Sequence, residues 1–284
     1  MAAEDREPLV EIRHDVPASA RVYGWALGSK DNYQVDRDFA LKTAPAFPEA
    51  IDIARQNRLF LYRAVRYLAT QAGIRQFLDM GCGLPTDDNV HQVAQKFAPD
   101  ARVVYVDVDP IVLAHGRALL AGNGSTIVIN ADFRDVDAVL DHPDLRRLIN
   151  FDEPLAVLFL SVGHHLVDAD DPRGLVNGLM GRSASGSHLA FSQIVCSDPD
   201  RATDLDARMK VAGIPWQNRT REEVDALLLD GLDPVEPGLV NLADWRPDPD
   251  QPPLAPVPDE LVQFVGASRI ARDMCEYGGV LRKP

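Results

Sequence analysis

Asp79-Met80-Gly81-Cys82-Gly83 stands where a short apolar run, Gln76-Phe77-Leu78, gives way to polar residues. Two glycines one residue apart after a strand let a ligand approach the main chain without Cβ clashes. The helix that follows offers free N–H groups at its start. A tight strand-to-helix turn with no ligand would use the same residues, so neighbouring side chains must decide between the two. A dinucleotide fold seats pyrophosphate on the helix N-terminus and uses a third glycine, G-x-G-x-x-G. Here Thr86, preceded by Pro85, holds that third place. Asp79 also puts negative charge beside the position of a pyrophosphate. That charge suits a ligand carrying a cationic ammonium and sulfonium instead.

Two further strand ends carry acids. Ala101–Asp107 (ARVVYVD) ends on a carboxylate able to accept from both hydroxyls of a ribose, with Val108 next to it. Asp109, just before Pro110, reads as a helix N-cap. The third strand runs into Asn130-Ala131-Asp132-Phe133, where Asp132 can accept from an adenine amino group and Phe133 can cover the ring. Asp79, Asp107 and Asp132 at successive strand tips, with Met80, Gly81 and Gly83 in the first turn, point to S-adenosylmethionine as cofactor. A fourth strand leads into Ser161-Val162-Gly163-His164-His165, which would face the sulfonium and the acceptor. His164, or His165 beside it, could take a proton from an acceptor hydroxyl or amine at neutral pH. Helix capping or packing against the cofactor is the plainer role for either. Methyl transfer needs chiefly alignment, so a dedicated base is dispensable.

Composition narrows the setting. The 284 residues carry 29 basic and 43 acidic side chains, a net charge of -14, which repels phosphate backbones and argues against a nucleic-acid partner. The densest basic cluster, Arg55, Arg58, Arg63 and Arg66, reads as the solvated face of one helix. Cys82, Cys196 and Cys275 are odd in number and widely spaced, which suits reduced thiols in the cytoplasm. No Cys/His spacing asks for a metal, and no apolar run is long enough to span a membrane. The acidic start, MAAEDREPLVEIRHDVP, lacks an apolar signal stretch and reads as a mobile or surface-lying arm.

The elements that must position these residues follow from periodicity. Glu49 to Ala72 is a long helix with Leu61, Val65 and Leu68 on one stripe and Gly73 as its stop. Residues 17–46 are expected to form short helices around a turn. Strands at 76–79, 101–107, 126–130, 155–160 and 188–195 alternate with helices from about 88, 110 and 171. That alternation describes a mostly parallel Rossmann-like α/β sheet, expected to have seven strands, with helices on both faces and an N-terminal helical extension. Its strand-to-helix turns share one edge, where open sheets of this kind bind ligands. Thr220-Arg221-Glu222-Glu223 is a capping box, 232–240 reads as a strand, and 277–281 as a last strand. Six prolines in 247–258 make that stretch an extended surface loop. With no repeat or linker, one domain over 1–284 is expected. Residues 1–46 would be an arm or lid, 47–200 the cofactor core, and 201–284 the rest of the sheet and the substrate side.

With these motifs in place, the chain resembles the class I S-adenosylmethionine-dependent methyltransferases. More closely, it is similar to an actinomycete family once catalogued only as a domain of unknown function. The resemblance runs nearly end to end, through ARVYGWALGSKDNYQVDRDFA, IARQNRLFLYRAVRYLA, IRQFLDMGCGLPT, RVVYVDVDPIVLAHGRALL, NADFRD, NFDEP, RTREEV and VEPGLV with DWRPD. It implies that Asp79, Gly81 and Gly83 form the glycine motif, Asp107 the ribose acid, and Asp132 with Phe133 the adenine contacts. It also implies an N-terminal segment with Tyr23, Lys30 and Asn32 folding over the cofactor, and Asn57 or Arg58 reaching the methionine carboxylate. Pro85, His165 and the pair Gly24-Trp25 depart from common patterns, the last two where lid or acceptor would lie. The resulting expectation is methyl transfer to a small-molecule acceptor that the resemblance does not name, with oligomeric state open. A cofactor-binding regulator without transfer is the alternative, and an NAD(P)-dependent dehydrogenase a more distant one.

Overall fold

The computed structural model describes residues 13–119, 124–270 and 273–284. The acidic start read as an arm lies largely in residues 1–12, outside the described residues. The strands are β1 Gln76–Met80, β2 Arg102–Asp107, β3 Thr126–Asn130, β4 Ala156–Phe159, β5 His188–Cys196, β6 Asp233–Pro234, β7 Val240–Asn241 and β8 Met274–Arg282. The helices are α1 Ser19–Ala26, α2 Gln34–Thr43, α3 Ala50–Thr70, α4 Val90–Phe97, α5 Pro110–Leu119, α6 Val136–Leu140, α7 Pro143–Leu148, α8 Pro172–Arg182, α9 Pro199–Val211 and α10 Arg221–Leu228.

The sheet runs β3-β2-β1-β4-β5-β8-β6, with β7 also paired to β8. Strands β1 to β5 are parallel, and β8 lies antiparallel to β5 along its whole length. Every residue of β1, β4 and β5 is buried, as expected of strands covered on both faces. Among the described residues the sheet has eight strands where seven were expected. The stretch 232–240, read as one strand, is interrupted at Glu236-Pro237-Gly238, where proline has no N–H to donate and Gly238 takes φ +92°. The two remnants become β6 and β7.

Alternation along the strands divides the core. Leu78, Met80, Val104, Val106, Phe159 and Phe191 face α6, α7, α8 and α10 on one side. Phe77, Val103, Leu158 and Val280 face α3, α4 and Trp245 on the other. The order in which the chain crosses the sheet reverses between β1 and β4, the first leading outward to β2 and β3, the second to β5. Such a reversal leaves a crevice beyond the carboxyl ends of the strands. The α3 stop is as expected: Gly73 sits at φ +72°, and the Ile74 N–H returns to the Leu68 carbonyl at 2.9 Å. The capping box is also formed, with Thr220 N–H donating to Glu223 at 2.7 Å and Glu223 N–H donating to Thr220 at 3.3 Å.

Two peripheral segments are tied onto this frame. Helices α1 and α2 are joined by a buried ion pair, Arg21 Nε to Asp36 Oδ2 at 2.7 Å, and Asp36 also accepts from the Ala18 and Tyr33 N–H groups. The proline-rich stretch 247–258 is extended, as its composition requires. It is held by the arginines read as a solvated face, which corrects that expectation. Arg63 is buried and donates to the carbonyls of Trp245 and Leu242 and to Gln251. Arg66 pairs with Asp248, and Arg55 donates to the Ala255 carbonyl. Main-chain carbonyls in irregular backbone need donors, and the guanidinium groups of α3 supply them to Leu242, Trp245 and Ala255. No helix among the described residues is long and apolar enough to cross a membrane, and the three cysteines are unpaired.

Candidate cofactor and transfer site

The turn after β1 requires its glycines for two reasons. Gly81 (φ +74°) and Gly83 (φ +64°) both adopt left-handed backbone. A Cβ on Gly81 would also stand 2.9 Å from Val162 and 3.2 Å from the Phe133 ring, so the turn is pressed between the tips of β3 and β4. Met80 is wholly buried in the core and offers this edge only its backbone. Asp107, at the tip of β2, braces the same turn. Its Oδ2 accepts from Gly83 N–H and its Oδ1 from Asp109 N–H, both at 2.9 Å. Asp109 in turn caps α5 by accepting from Ile111 N–H at 2.9 Å.

Charge is confined here. Asp79 is 6% exposed, and among the described residues no donor bonds its carboxylate. Burial pushes its pKa up to about 7, with the Asp107 charge adding to the rise and the Arg58 guanidinium opposing it. Asp107 is likewise raised by burial, while the N–H groups of Asp109 and Gly83 pull it back. Arg58, on α3, donates to the Asp87 carbonyl and to Asn89 Oδ1. It lines a recess of about 460 Å³ together with Asp79, Cys82, Gly83 and Tyr105. A wider recess of about 1270 Å³ opens beside it, between Gly28-Ser29, Arg58, Asp87-Asp88 and the strap at Gln251–Ala255.

Around β2 and β3, Val108 is 54% exposed, an apolar side chain left in the open at a strand tip. Phe133 meets Phe159 edge to face at 6.0 Å. Asp132 is gripped by Arg134, whose Nε and Nη2 both donate to it and hold its carboxyl low.

The tip of β4 carries a buried polar chain. Ser161 takes φ +60°, unusual for a residue with a side chain, and its N–H donates to Ser192 Oγ at 2.7 Å. Ser192 donates to Asn57 Oδ1 at 2.7 Å, and Asn57 Nδ2 donates to the Tyr23 hydroxyl at 2.9 Å. Burial pushes Tyr23 up to about 12, so this hydroxyl keeps its proton at neutral pH. Glu276, on β8, lies wholly buried beside Ser161 and Ser192.

The two histidines sit differently from a base. His164 is 3% exposed, stacks on Trp216 at 4.1 Å, and accepts the Ile194 N–H on Nδ1 at 3.2 Å. With that lone pair used, a neutral ring carries its proton on Nε2 and has no basic nitrogen to offer. Burial drives its pKa well down, the neighbouring His165 and Arg219 adding to this. His165 bridges Ser19 of α1, at 3.0 Å, and the Pro215 carbonyl, at 2.7 Å. Arg219 fixes the same loop through the carbonyls of Gly163 and Leu166 and through Asp168.

Of the expected residues, Asp79, Gly83 and Arg58 line the smaller recess, and Arg58 also lines the wider one. Gly81, Asp107, Val108, Phe133 and Ser161 stand at the strand tips nearby, Tyr23 on α1 and Asp132 at the β3 tip, and none of these lines either recess. Lys30 is exposed, and Asn32 serves the turn between α1 and α2, donating to the Ser29 carbonyl and accepting from Arg37. Sequence reasoning missed Ser192, Glu276, Trp216 and Arg219. Only Glu276 left a signal, a charged residue inside the apolar run MCEYGGVL.

A doubly wound sheet with an acid-x-Gly-x-Gly turn after β1 and a second acid at the tip of β2 defines an S-adenosylmethionine-dependent methyltransferase. The S-adenosyl methyltransferase family matches residues 5–284, and the chain belongs to it. A putative methyltransferase from Thermobifida fusca YX is 39% identical, with a TM-score of 0.81 over 94% of this chain and 95% of that one. A protein of a family catalogued as DUF574, from Streptomyces avermitilis MA-4680, is 35% identical, with a TM-score of 0.84 over 96% of this chain and 100% of its own. The geranyl diphosphate C-methyltransferase of Streptomyces coelicolor A3(2), at 13% identity and a TM-score of 0.52 over 97% of this chain and 90% of that one, shares the fold alone. No curated protein matches the chain. The family makes the chain an enzyme that uses S-adenosylmethionine and excludes the dehydrogenase reading.

Proposed function

We propose that this enzyme methylates a small-molecule acceptor, with the cofactor laid across the tips of β3, β2, β1 and β4. S-adenosylmethionine brings a methyl group on a cationic sulfur. The carrying observation is Asp79: a buried carboxylate with no hydrogen-bond donor of the described residues is suited to an ammonium from outside the chain. Arg58, across the recess, is placed for the methionine carboxylate. Asp107 keeps acceptor capacity for a ribose diol, since each carboxylate oxygen can take two donors. Val108 and Phe133 offer apolar cover for an adenine. Asp132 would accept from its amino group on the oxygen edge left by Arg134. Gly81, Gly83 and the Met80 backbone allow close approach. Tyr23 and Ser161 face the transfer position, while Lys30 and Asn32 shape the turn above it.

His164 acts by position in this reading. It buttresses the Ser161 loop against Trp216, and alignment of acceptor, methyl and sulfur does the chemical work. Three unpaired cysteines and an acidic surface favour a cytoplasmic protein with no nucleic-acid or membrane partner. β8, pairing back to β5, supports one domain over the chain. Two measurements test the proposal: calorimetric titration with S-adenosylhomocysteine, and S-adenosylhomocysteine formation from S-adenosylmethionine in a pooled metabolite extract. Tight binding with turnover is expected. Binding without turnover against any extract would identify a regulator that has lost transfer, and absence of binding would overturn the site.

A further inference from the structure

We propose that Glu276 is a buried counter-charge that distinguishes the cationic form of the cofactor from its neutral thioether product. The inference rests on the cofactor reading above and concerns a residue to which that reading gives no role.

Glu276 is completely buried, and neither carboxyl oxygen has a hydrogen-bond partner among the described residues. It stands on β8 opposite Ile194 of β5, at the ligand-binding edge of the sheet. Its polar neighbours are the hydroxyls of Ser192 and Ser161, which help its ionised form but lie outside hydrogen-bonding geometry. Ser161 belongs to the β4 tip, the position that faces the transferred methyl. On α1, Tyr23 feels Glu276 and Asp79 together, with Arg58 opposing both. Two buried acids, one on β1 and one on β8, therefore both raise the Tyr23 hydroxyl, burial being the main cause. The charged and titratable groups on the elements packed nearby are Asp244 of the 242–244 turn and Arg221 of α10, both felt at the adjoining Cys275, and His164, which takes the N–H of Ile194, the residue paired with Glu276. The Cys275 thiol on the same strand is itself raised by burial and stays neutral.

Burial with no partner holds the Glu276 carboxyl neutral, its pKa pushed up to about 8. Glu276 lines neither recess and is reached through Ser161; a positive charge brought to the far side of Ser161 acts across low-dielectric protein, favours the carboxylate and drives the proton out. The ammonium is common to the cofactor and its product, and Asp79 answers it. The sulfonium charge is present only before transfer, so Glu276 is ionised with S-adenosylmethionine and protonated with S-adenosylhomocysteine. Affinity for the cation relative to the thioether then rises with pH up to about 8 and levels above it, by at most about tenfold per pH unit.

The test is calorimetry of the whole chain at pH 7, in buffers of different ionisation enthalpy, with S-adenosylmethionine and S-adenosylhomocysteine in turn. The cation is expected to release nearly one proton more than the thioether. Glu276→Gln should remove this excess and Asp79→Asn should keep it. Equal release by the two ligands, an excess that survives Glu276→Gln, or one that vanishes in Asp79→Asn overturns the inference and leaves the cofactor reading standing. Failure of both ligands to bind overturns the cofactor reading and this inference with it. Should Glu276→Gln not fold, infrared difference spectra of the wild-type chain decide. The protonated carboxyl band must disappear with S-adenosylmethionine and persist with S-adenosylhomocysteine, and any other pattern refutes the assignment.

Discussion

Asp79→Asn separates what the fold loses to its site from what the site gains. In the folded chain this carboxyl titrates at about 7 against a reference of 3.8, with burial as the main cause. Between those values the unfolded chain is ionised while the folded one still holds its proton. The Asp79 contribution to stability therefore falls as pH rises from about 4 to about 7 and is level above, while that of Glu276 goes on falling to about 8. At 1.36 kcal/mol per unit the full loss from Asp79 is about 4 kcal/mol. Asparagine keeps the shape without the charge, so urea unfolding of the variant should show a shallower slope, the part due to Glu276 remaining. At pH 8 the variant should be the more stable chain by roughly 2–4 kcal/mol. The same change should weaken S-adenosylhomocysteine binding by about 1.5–3 kcal/mol, the usual worth of a charge-assisted hydrogen bond. Wild-type affinity should itself drop about tenfold per unit as pH falls below 7, because only the ionised carboxyl pairs with an ammonium. A variant no more stable at pH 8, and binding as tightly as wild type in calorimetry, would refute the reasoning at both ends.

Asp107→Ala should cost on the order of 1–3 kcal/mol of cofactor binding through lost diol contacts; unchanged calorimetric affinity would count against the ribose role. His164→Ala should lower the thermal midpoint, since it empties the place beside Trp216 and strands the Ile194 N–H, and should leave the pH profile of S-adenosylhomocysteine formation without a lost basic limb. Disappearance of such a limb would restore His164 as a base. Asp36→Asn leaves Arg21 buried without its counter-ion, a loss of about 3–5 kcal/mol. Hydrogen exchange should quicken across residues 19–43 while β1 to β5 stay protected. Thr220→Ala removes one cap acceptor from α10 and should cost about 1 kcal/mol in urea unfolding.

Much of the frame was legible because its signals are local. The buried strands are apolar runs, the helices carry 3.6-residue stripes, and Gly73, Asp109 and Thr220 mark ends by chemistry confined to a few neighbours. The acids at the tips of β1, β2 and β3 were legible for the same reason, since a parallel α/β sheet sends every such tip to one edge. What escaped depends on partners distant in the chain. Arg63 looks solvated in a helical projection and is buried because residues 242–251 fold back over it. His164 has the composition of a base, and only its register against Ile194 shows that the lone pair is taken. Ser192 and Asn57 are unremarkable alone and acquire meaning through a bond across two elements. The division of 232–240 into β6 and β7 was foreshadowed by Pro237 and Gly238, which a periodicity count passes over.

The antiparallel pairing of β8 with β5 has a consequence for how the molecule assembles. Until β8 arrives, β5 is a nine-residue, largely apolar border, buried throughout in the finished fold, with a free row of amide and carbonyl groups. Its natural neighbour is separated from it by α9, α10 and the proline-rich strap. Contacts this remote in sequence form late, and a bare border of that kind invites pairing with another chain meanwhile. Aggregation during refolding should therefore depend on how soon the last strand docks, and a chain stalled before that step would be the species that chaperones capture.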